Sequence, residues 1–182
     1  MQKAVTDPTS NVHVRRAVVA DAGALSEVGT ATFHLACPPN TPQADIDLFV
    51  SEWLSPDAFT GHLIDPKSFC FIAEAEGSAV GYSMFYHARA PAFVPGTNPI
   101  ELKKLYVLPG WHGRGVAKRL VGLGEGEASR RGYETMWLSV SEVNAKALSF
   151  YHRMGFREVG RRDFLVGNDV QKDKILSKSI VG

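Results

Sequence analysis

The sequence of 182 residues predicts a single α/β domain, a mixed sheet of about seven strands with helices on both faces. Three observations lead there. The length suffices for one domain with a proper core and is short for two. Seven short apolar or alternating runs stand between turn residues. Segments with apolar residues at helical spacing fall between those runs, so strands and helices interleave.

In order, residues 1–11 are polar, contain Pro8 and lack an apolar run. They predict a flexible tail, neither signal peptide nor membrane anchor, ahead of a domain over 12–182. Val12-His13-Val14-Arg15-Arg16 alternates like a half-exposed strand. Asp21 opens a helical pattern (Ala24, Leu25, Val28, Ala31, Thr32) that runs to about Phe33. After the break at Cys37-Pro38-Pro39-Asn40-Thr41-Pro42, a second helix carries Ile46, Phe49, Val50, Trp53 and Leu54, and a short third covers 57–64. Residues 69–74 and 79–87 read as a hairpin around Glu76-Gly77-Ser78. A loop rich in proline follows over 89–99, then a strand over 100–108 closed by Pro109-Gly110.

From there helix 113–131, strand 134–140 and helix 144–154 alternate, with Gly155 where a left-handed cap belongs. Two last strands, 156–166 and 170–180, flank Gly167-Asn168-Asp169. The unit 100–140 predicts two parallel strands joined by a right-handed crossover. Gly122, Gly124 and Gly126 each cost its helix about 1 kcal/mol relative to Ala, which calls for close packing or an irregular helix.

A net charge of +1 gives no global field toward nucleic acid or membrane. Cys37 and Cys70 make no disulfide framework and no CxxC pair, and Cys70 sits in an apolar run that suits a buried, inert thiol. A cytoplasmic protein is expected. The distribution of charge says more than the total. Residues 17–66 hold no Lys or Arg and seven acids, Asp21, Glu27, Asp45, Asp47, Glu52, Asp57 and Asp65. Residues 102–124 hold Lys103, Lys104, Arg114, Lys118 and Arg119 and no acid. One region suits a cation and the other an anion, unless both are simply solvated faces.

The run Leu105-Tyr106-Val107-Leu108-Pro109-Gly110-Trp111-His112-Gly113-Arg114-Gly115-Val116-Ala117-Lys118 takes a strand through a glycine-punctuated turn into a basic helix. Free N–H groups and the helix dipole make such a start an anion site. A dinucleotide loop fails because Lys118 stands where its third glycine belongs, and a Walker A loop fails because Val116 follows Gly115. No zinc or EF-hand spacing occurs, so no metal is expected.

His112-Gly113-Arg114-Gly115-Val116-Ala117 resembles the GNAT acyltransferase signature Gln/Arg-x-x-Gly-x-Gly/Ala, with His in first place. Asn144-Ala145-Lys146-Ala147-Leu148-Ser149-Phe150-Tyr151-His152-Arg153-Met154-Gly155-Phe156 resembles that family's second motif. The tail from Phe164 to Asp173 is also similar to bacterial spermidine/spermine acetyltransferases. The resemblance implies the GNAT fold, a twisted and mostly antiparallel sheet, with acetyl-CoA as co-substrate. It implies that backbone N–H groups of His112, Gly113, Arg114, Gly115, Val116 and Ala117 hold the coenzyme A pyrophosphate. Main-chain atoms of Leu105, Tyr106 and Val107 would pair with the pantetheine arm, Asn144 would touch that arm or hold its loop, and Lys146 would lie near the nucleotide.

For chemistry, the resemblance makes Tyr151 the acid that serves the departing thiolate, although Ala147, Leu148 and Tyr151 also share a packing face. It makes Glu101, fourteen positions before Gly115, the base acting through water, against a surface glutamate paired with Lys103 or Lys104. His112, His87 and His62 are reserve bases. Neither cysteine has a nucleophile arrangement, so direct transfer in a ternary complex is expected. The resemblance puts the first helices on the acceptor side, so the acidic stretch suggests a small cationic, polyamine-like acceptor, flanked by Phe33, Phe49 and Trp53 unless their helical spacing marks core. Rival acceptors are a protein N-terminus, a lysine or an aminoglycoside, and a sensor that binds acyl-CoA without turnover is the rival of another class. A homodimer is compatible with the resemblance, and no nucleic-acid or membrane partner is expected.

Overall fold

The segment Ser68–Ala75 is buried along nearly its whole length, and a strand apolar on both sides needs cover on both faces. In the computed structural model, which describes residues 11–181, this strand is second in a seven-stranded sheet. The strands are β1 (His13–Arg16), β2 (Ser68–Ala75), β3 (Ser78–Tyr86), β4 (Pro99–Val107), β5 (Thr135–Ser141), β6 (Arg157–Val166) and β7 (Asp169–Ser179). The helices are α1 (Ala22–Thr32), α2 (Gln43–Trp53), α3 (Pro56–Ile64), α4 (Val116–Arg130) and α5 (Ala145–Arg153). The tail expected over 1–11 lies, apart from Asn11, outside the described residues.

Phe69, Phe71 and Ala73 of β2 join Leu120, Val121 and Tyr151 from α4 and α5 in one core. Cys70 and Ile72 turn the other way, toward Leu25 and Val28 of α1, Phe49 of α2 and Phe59 of α3. Local chemistry sets where these helices start. The Asp21 carboxylate ahead of α1 accepts from Arg15 Nη1 and Nη2 at 2.7 and 2.8 Å and from the Val18 N–H at 2.8 Å, which ties the helix to β1. Ser55 caps α3 by accepting the Ala58 N–H at 3.3 Å, with Pro56 in the first turn. Asn144 caps α5 by accepting the Ala147 N–H at 3.0 Å.

Helix α4 begins at Val116, three residues later than the predicted start at Gly113. Gly113 and Gly115 have φ of 75° and 79°, a left-handed conformation that keeps the turn out of the helix. The helix then runs unbroken to Arg130. Gly124 is the close contact that such a glycine-rich helix calls for, because a Cβ there would stand 1.9 Å from Cζ of Phe85.

The sheet order is β1-β2-β3-β4-β5-β7-β6, antiparallel except for the parallel β4–β5 pair. That pair holds at only three positions, Pro99 with Thr135, Ile100 with Met136 and Glu101 with Trp137. Beyond Glu101, β4 follows β3 as far as Val107 while β5 follows β7 as far as Ser141, so the two central strands part. A second irregularity lies here. Met84 pairs with Lys104 and Phe85 with Leu102, which leaves Lys103 as the extra residue of a β-bulge. No helix among the described residues is long and apolar enough to cross a membrane.

Candidate active site

Where β4 and β5 part, a cavity of about 420 Å³ opens. One wall is β4 from Glu101 to Tyr106, and another is Ser139–Ser141 of β5 with Asn144, Ala147 and Tyr151. Phe33, Phe49, Trp53 and Phe164 make an aromatic wall, and Arg162, Gln171 and Asp173 reach in from β6 and β7. The bulge decides what β4 shows. Ile100, Leu102, Leu105 and Val107 pack toward α4 and α5. Lys104 and Tyr106, on the far side of the bulge, instead face the aromatic residues of the α1–α3 layer. Without the extra residue at 103, the strict alternation of a strand would send them to the other face.

Glu101 is buried, with its carboxylate 3.8 Å from Arg162 Nη2 and 4.0 Å from Lys103 Nζ. It is therefore no surface glutamate, and Lys104 is not its partner. Tyr151 is buried with its ring edge-on to Phe150 and Phe156, and its hydroxyl makes no hydrogen bond among the described residues. Burial raises the Tyr151 phenol above its ordinary pKa. Cys37 lines the cavity too. Burial, helped by Asp169 and Asp173, pushes its thiol up to about 11. Burial takes Cys70 to about 12 in the core. The reserve base His62 stacks edge-on against Tyr86, and burial followed by the Lys104 and Lys103 charges lowers it to about 4. His87 touches the Pro99 carbonyl at 3.3 Å and the Tyr133 ring. Neither His62 nor His87 lines the cavity.

The glycine turn lies at the open end of the split. His112 departs from its neighbours, because its N–H closes a turn onto the Pro109 carbonyl at 3.1 Å. Its ring bridges the Val107 carbonyl (2.6 Å from Nε2) and the Lys146 ammonium (2.8 Å from Nδ1), which fixes the first motif against the second. From Gly113 to Lys118, the backbone N–H groups have no carbonyl partner among the described residues. Space above Gly113 is open, with nothing within 4 Å of where a Cβ would sit. The Arg114 guanidinium stacks 4.9 Å from the Trp111 ring centroid. Inside the slot, Ser141 Oγ is buried without a hydrogen-bond partner. A row of unpaired N–H groups, a strand edge without a partner and an orphaned hydroxyl together fit an elongated ligand with a phosphate head and amide groups along its arm.

The acetyltransferase (GNAT) family profile matches residues 31–156, well over half of the chain and both motifs. The chain belongs to the GNAT acetyltransferase family. It is 35% identical over 161 residues to an uncharacterized N-acetyltransferase of Mycobacterium tuberculosis (strain ATCC 25618 / H37Rv), covering 88% of this chain and 99% of the relative. Streptothricin acetyltransferase of Streptomyces lavendulae is 29% identical over 104 residues, 57% of this chain and 51% of that one. Among solved structures, the PaiA N-acetyltransferase of Thermoplasma acidophilum in complex with coenzyme A has a TM-score of 0.75. It is 19% identical, and the match covers 92% of this chain and 98% of that one, a likeness of fold. As a GNAT enzyme the chain transfers an acetyl group from acetyl-CoA to an amine.

The GNAT motifs do not point to four further cavity residues. Asp173 is buried, accepts the Ser139 hydroxyl at 2.6 Å and has its pKa raised by burial, with Ser139 opposing. Arg162 Nε donates to the same Ser139 oxygen at 3.0 Å. Gln171, Asp173 and Ile175 alternate inward along β7, a polar stripe in phase with an apolar residue that was readable in principle. Lys104 was not readable, because the bulge places it.

Proposed function

We propose that this GNAT enzyme acetylates a small amine by direct transfer within the β4–β5 split, with Tyr151 as acid and Glu101 or Asp173 on the base side. The observation that carries the reading is that one cavity is lined by two buried carboxylates and a buried tyrosine whose hydroxyl has no hydrogen-bond partner among the described residues. An alkylammonium with a pKa near ~10 must lose a proton before it attacks, and a departing thiolate near ~8.5 gains from a donor. Acetyl-CoA supplies the activated thioester. Burial keeps the Tyr151 phenol protonated at neutral pH, so it enters each turnover as a hydrogen-bond donor for the sulfur. On the amine side Glu101 takes the proton through water. Asp173, raised by burial and already hydrogen-bonded, is the alternative.

The N–H groups of Gly113, Arg114, Gly115, Val116 and Ala117 would cradle the pyrophosphate, and the exposed edge of Leu105, Tyr106 and Val107 would pair with the pantetheine arm. Asn144 serves by holding the start of α5, and Lys146 with His112 closes the nucleotide end. Cys37 is in the cavity, but a thiol pushed to about 11 is almost wholly protonated at neutral pH, which favours direct transfer over an acetyl-cysteine intermediate.

For the acceptor, polyamine-like chemistry keeps less support than amine chemistry in general. None of the seven acids of residues 17–66 lines the cavity. Asp21 is held by Arg15, and Asp45 by the Asn168 backbone at 2.8 Å. The cavity's own charges are Glu101 and Asp173 against Lys103, Lys104 and Arg162. The test follows thiol release from acetyl-CoA with spermidine, phenethylamine, amino acids and streptothricin. Saturable release that requires an amine supports the reading. Tight acetyl-CoA binding without release for any amine overturns it in favour of a sensor.

A further inference from the structure

Lys104 is only 7% exposed, lines the acceptor side of the cavity and makes no hydrogen bond or ion pair among the described residues. Its neighbours are aromatic, with Nζ 5.9 Å from the Phe49 ring centroid and 6.0 Å from that of Phe59. The nearby carboxylates are engaged elsewhere, Glu101 with Arg162 and Lys103, and Asp173 with Ser139. Burying an ammonium with no counter-charge in contact is costly to a fold, and a methionine between two phenyl rings would carry no such penalty. The bulge at Lys103 is what brings this lysine to the cavity rather than to the opposite face.

We infer that Lys104 pairs with an anionic group on the acceptor, a carboxylate or a phosphate, so that the acceptor is a zwitterion with an apolar body rather than a polycation. The ammonium of such a molecule belongs beside Glu101, its body against Phe33, Phe49 and Trp53, and its anion at Lys104. Burial, and after it the Lys103 charge, lowers the Lys104 ammonium to about 8, with the Glu101 carboxylate opposing from a distance. An anion in contact with it would favour the charged form further and regain what burial costs.

This inference rests on the acetyl-transfer reading, and its test is read by binding so that the two can fail separately. Calorimetry in the presence of coenzyme A compares N-acetylphenylalanine with N-acetylphenethylamine, which differ only in the carboxylate. It also compares the acetylated forms of O-phosphoethanolamine and ethanolamine, which differ only in the phosphate. Wild-type protein should prefer the anionic member of one pair by roughly tenfold to a hundredfold, the range of a charge-assisted hydrogen bond, and the preferred pair names the anion. Lys104→Met should abolish that preference without lowering the thermal midpoint, since a structural lysine would lower it. The ratio of kcat/KM for phenylalanine over phenethylamine, or for O-phosphoethanolamine over ethanolamine, should collapse in parallel. No anion preference in the wild type, whether both members bind equally or neither binds, overturns the inference, as does a preference that survives in Lys104→Met. Failure of acetyl transfer itself would appear instead as absence of thiol release with every amine.

Discussion

Three glycines on one helix allow the same substitution to be made with opposite expected signs. Gly124 faces the sheet, where an added Cβ would meet Cζ, Cε2 and Cε1 of Phe85 at 1.9, 2.3 and 2.6 Å. Against an ordinary carbon–carbon contact of about 3.5 Å, the closest overlap is about 1.6 Å. Phe85 cannot swing aside cheaply, being fully buried and stacked on Phe69 at 4.9 Å and 13°. Overpacking of this kind costs about 1–3 kcal/mol, and replacing a helical glycine by alanine returns about 1 kcal/mol. Gly124→Ala should therefore destabilise by up to about 2 kcal/mol. Gly122 and Gly126 have nothing within 4 Å, so Gly122→Ala and Gly126→Ala should each stabilise by about 1 kcal/mol. For a chain of this size each kcal/mol moves the thermal midpoint by about 2–4 °C, well within the resolution of a circular-dichroism melt. A stabilising Gly124→Ala would refute the packing of α4 on Phe85. Destabilising Gly122→Ala and Gly126→Ala would show that the outer face of α4 is covered, as a dimer would cover it.

Three more predictions follow from the site and its frame. Tyr151→Phe should lower kcat at least tenfold while the acetyl-CoA dissociation constant stays within about twofold, measured by steady-state kinetics and calorimetry; undiminished kcat would remove Tyr151 as the acid. Cys37→Ser should keep turnover within a few-fold of wild type, and its abolition would revive a covalent route. Glu127 is buried among Arg16, Arg130 and Arg131; burial raises its pKa, but the Arg131 and Arg16 hydrogen bonds prevail and hold it below the ordinary 4.5. Glu127→Gln should then cost about 1–2 kcal/mol near neutral pH. Because the folded-state pKa is depressed, the gap between the two proteins is full above the unfolded value and closes as pH falls through the folded one, which urea titrations from pH 7 to pH 3 would follow. A gap that does not depend on pH would mean the carboxylate charge is not what stabilises.

Most of the frame was legible in the sequence because its signals are local. The break at residues 37–42, the turns at Gly77 and Gly167 and the cap at Gly155 all rest on chemistry within a few residues, and the structure carries each one. The start of α4 was misplaced because glycines at 113 and 115 fit a helix pattern by spacing and leave it by backbone conformation. Close contact at Gly124 depends on Phe85, 39 residues away in the chain (124 − 85), and no local pattern carries it. In the candidate site, the motif residues and Glu101 could be named from the sequence, and the charges of Lys104, Arg162 and Asp173 inside the cavity could not. Lys103 and Lys104 look alike in sequence, and a single bulge sends one to the edge of the cavity and the other deep into it. The orientation of the acidic stretch stayed open for the complementary reason, since composition records charge and not direction. Asp45 in fact fastens the β6–β7 turn rather than facing an acceptor.

In the proposed reaction both substrates share one slot, and the acetyl group passes directly between them. Initial rates measured over a grid of acetyl-CoA and amine concentrations test that most directly. Double-reciprocal lines that intersect, with no acetylated protein detected by intact mass after incubation with acetyl-CoA alone, are the predicted result. Parallel lines accompanied by stoichiometric acetylation of the protein would contradict it.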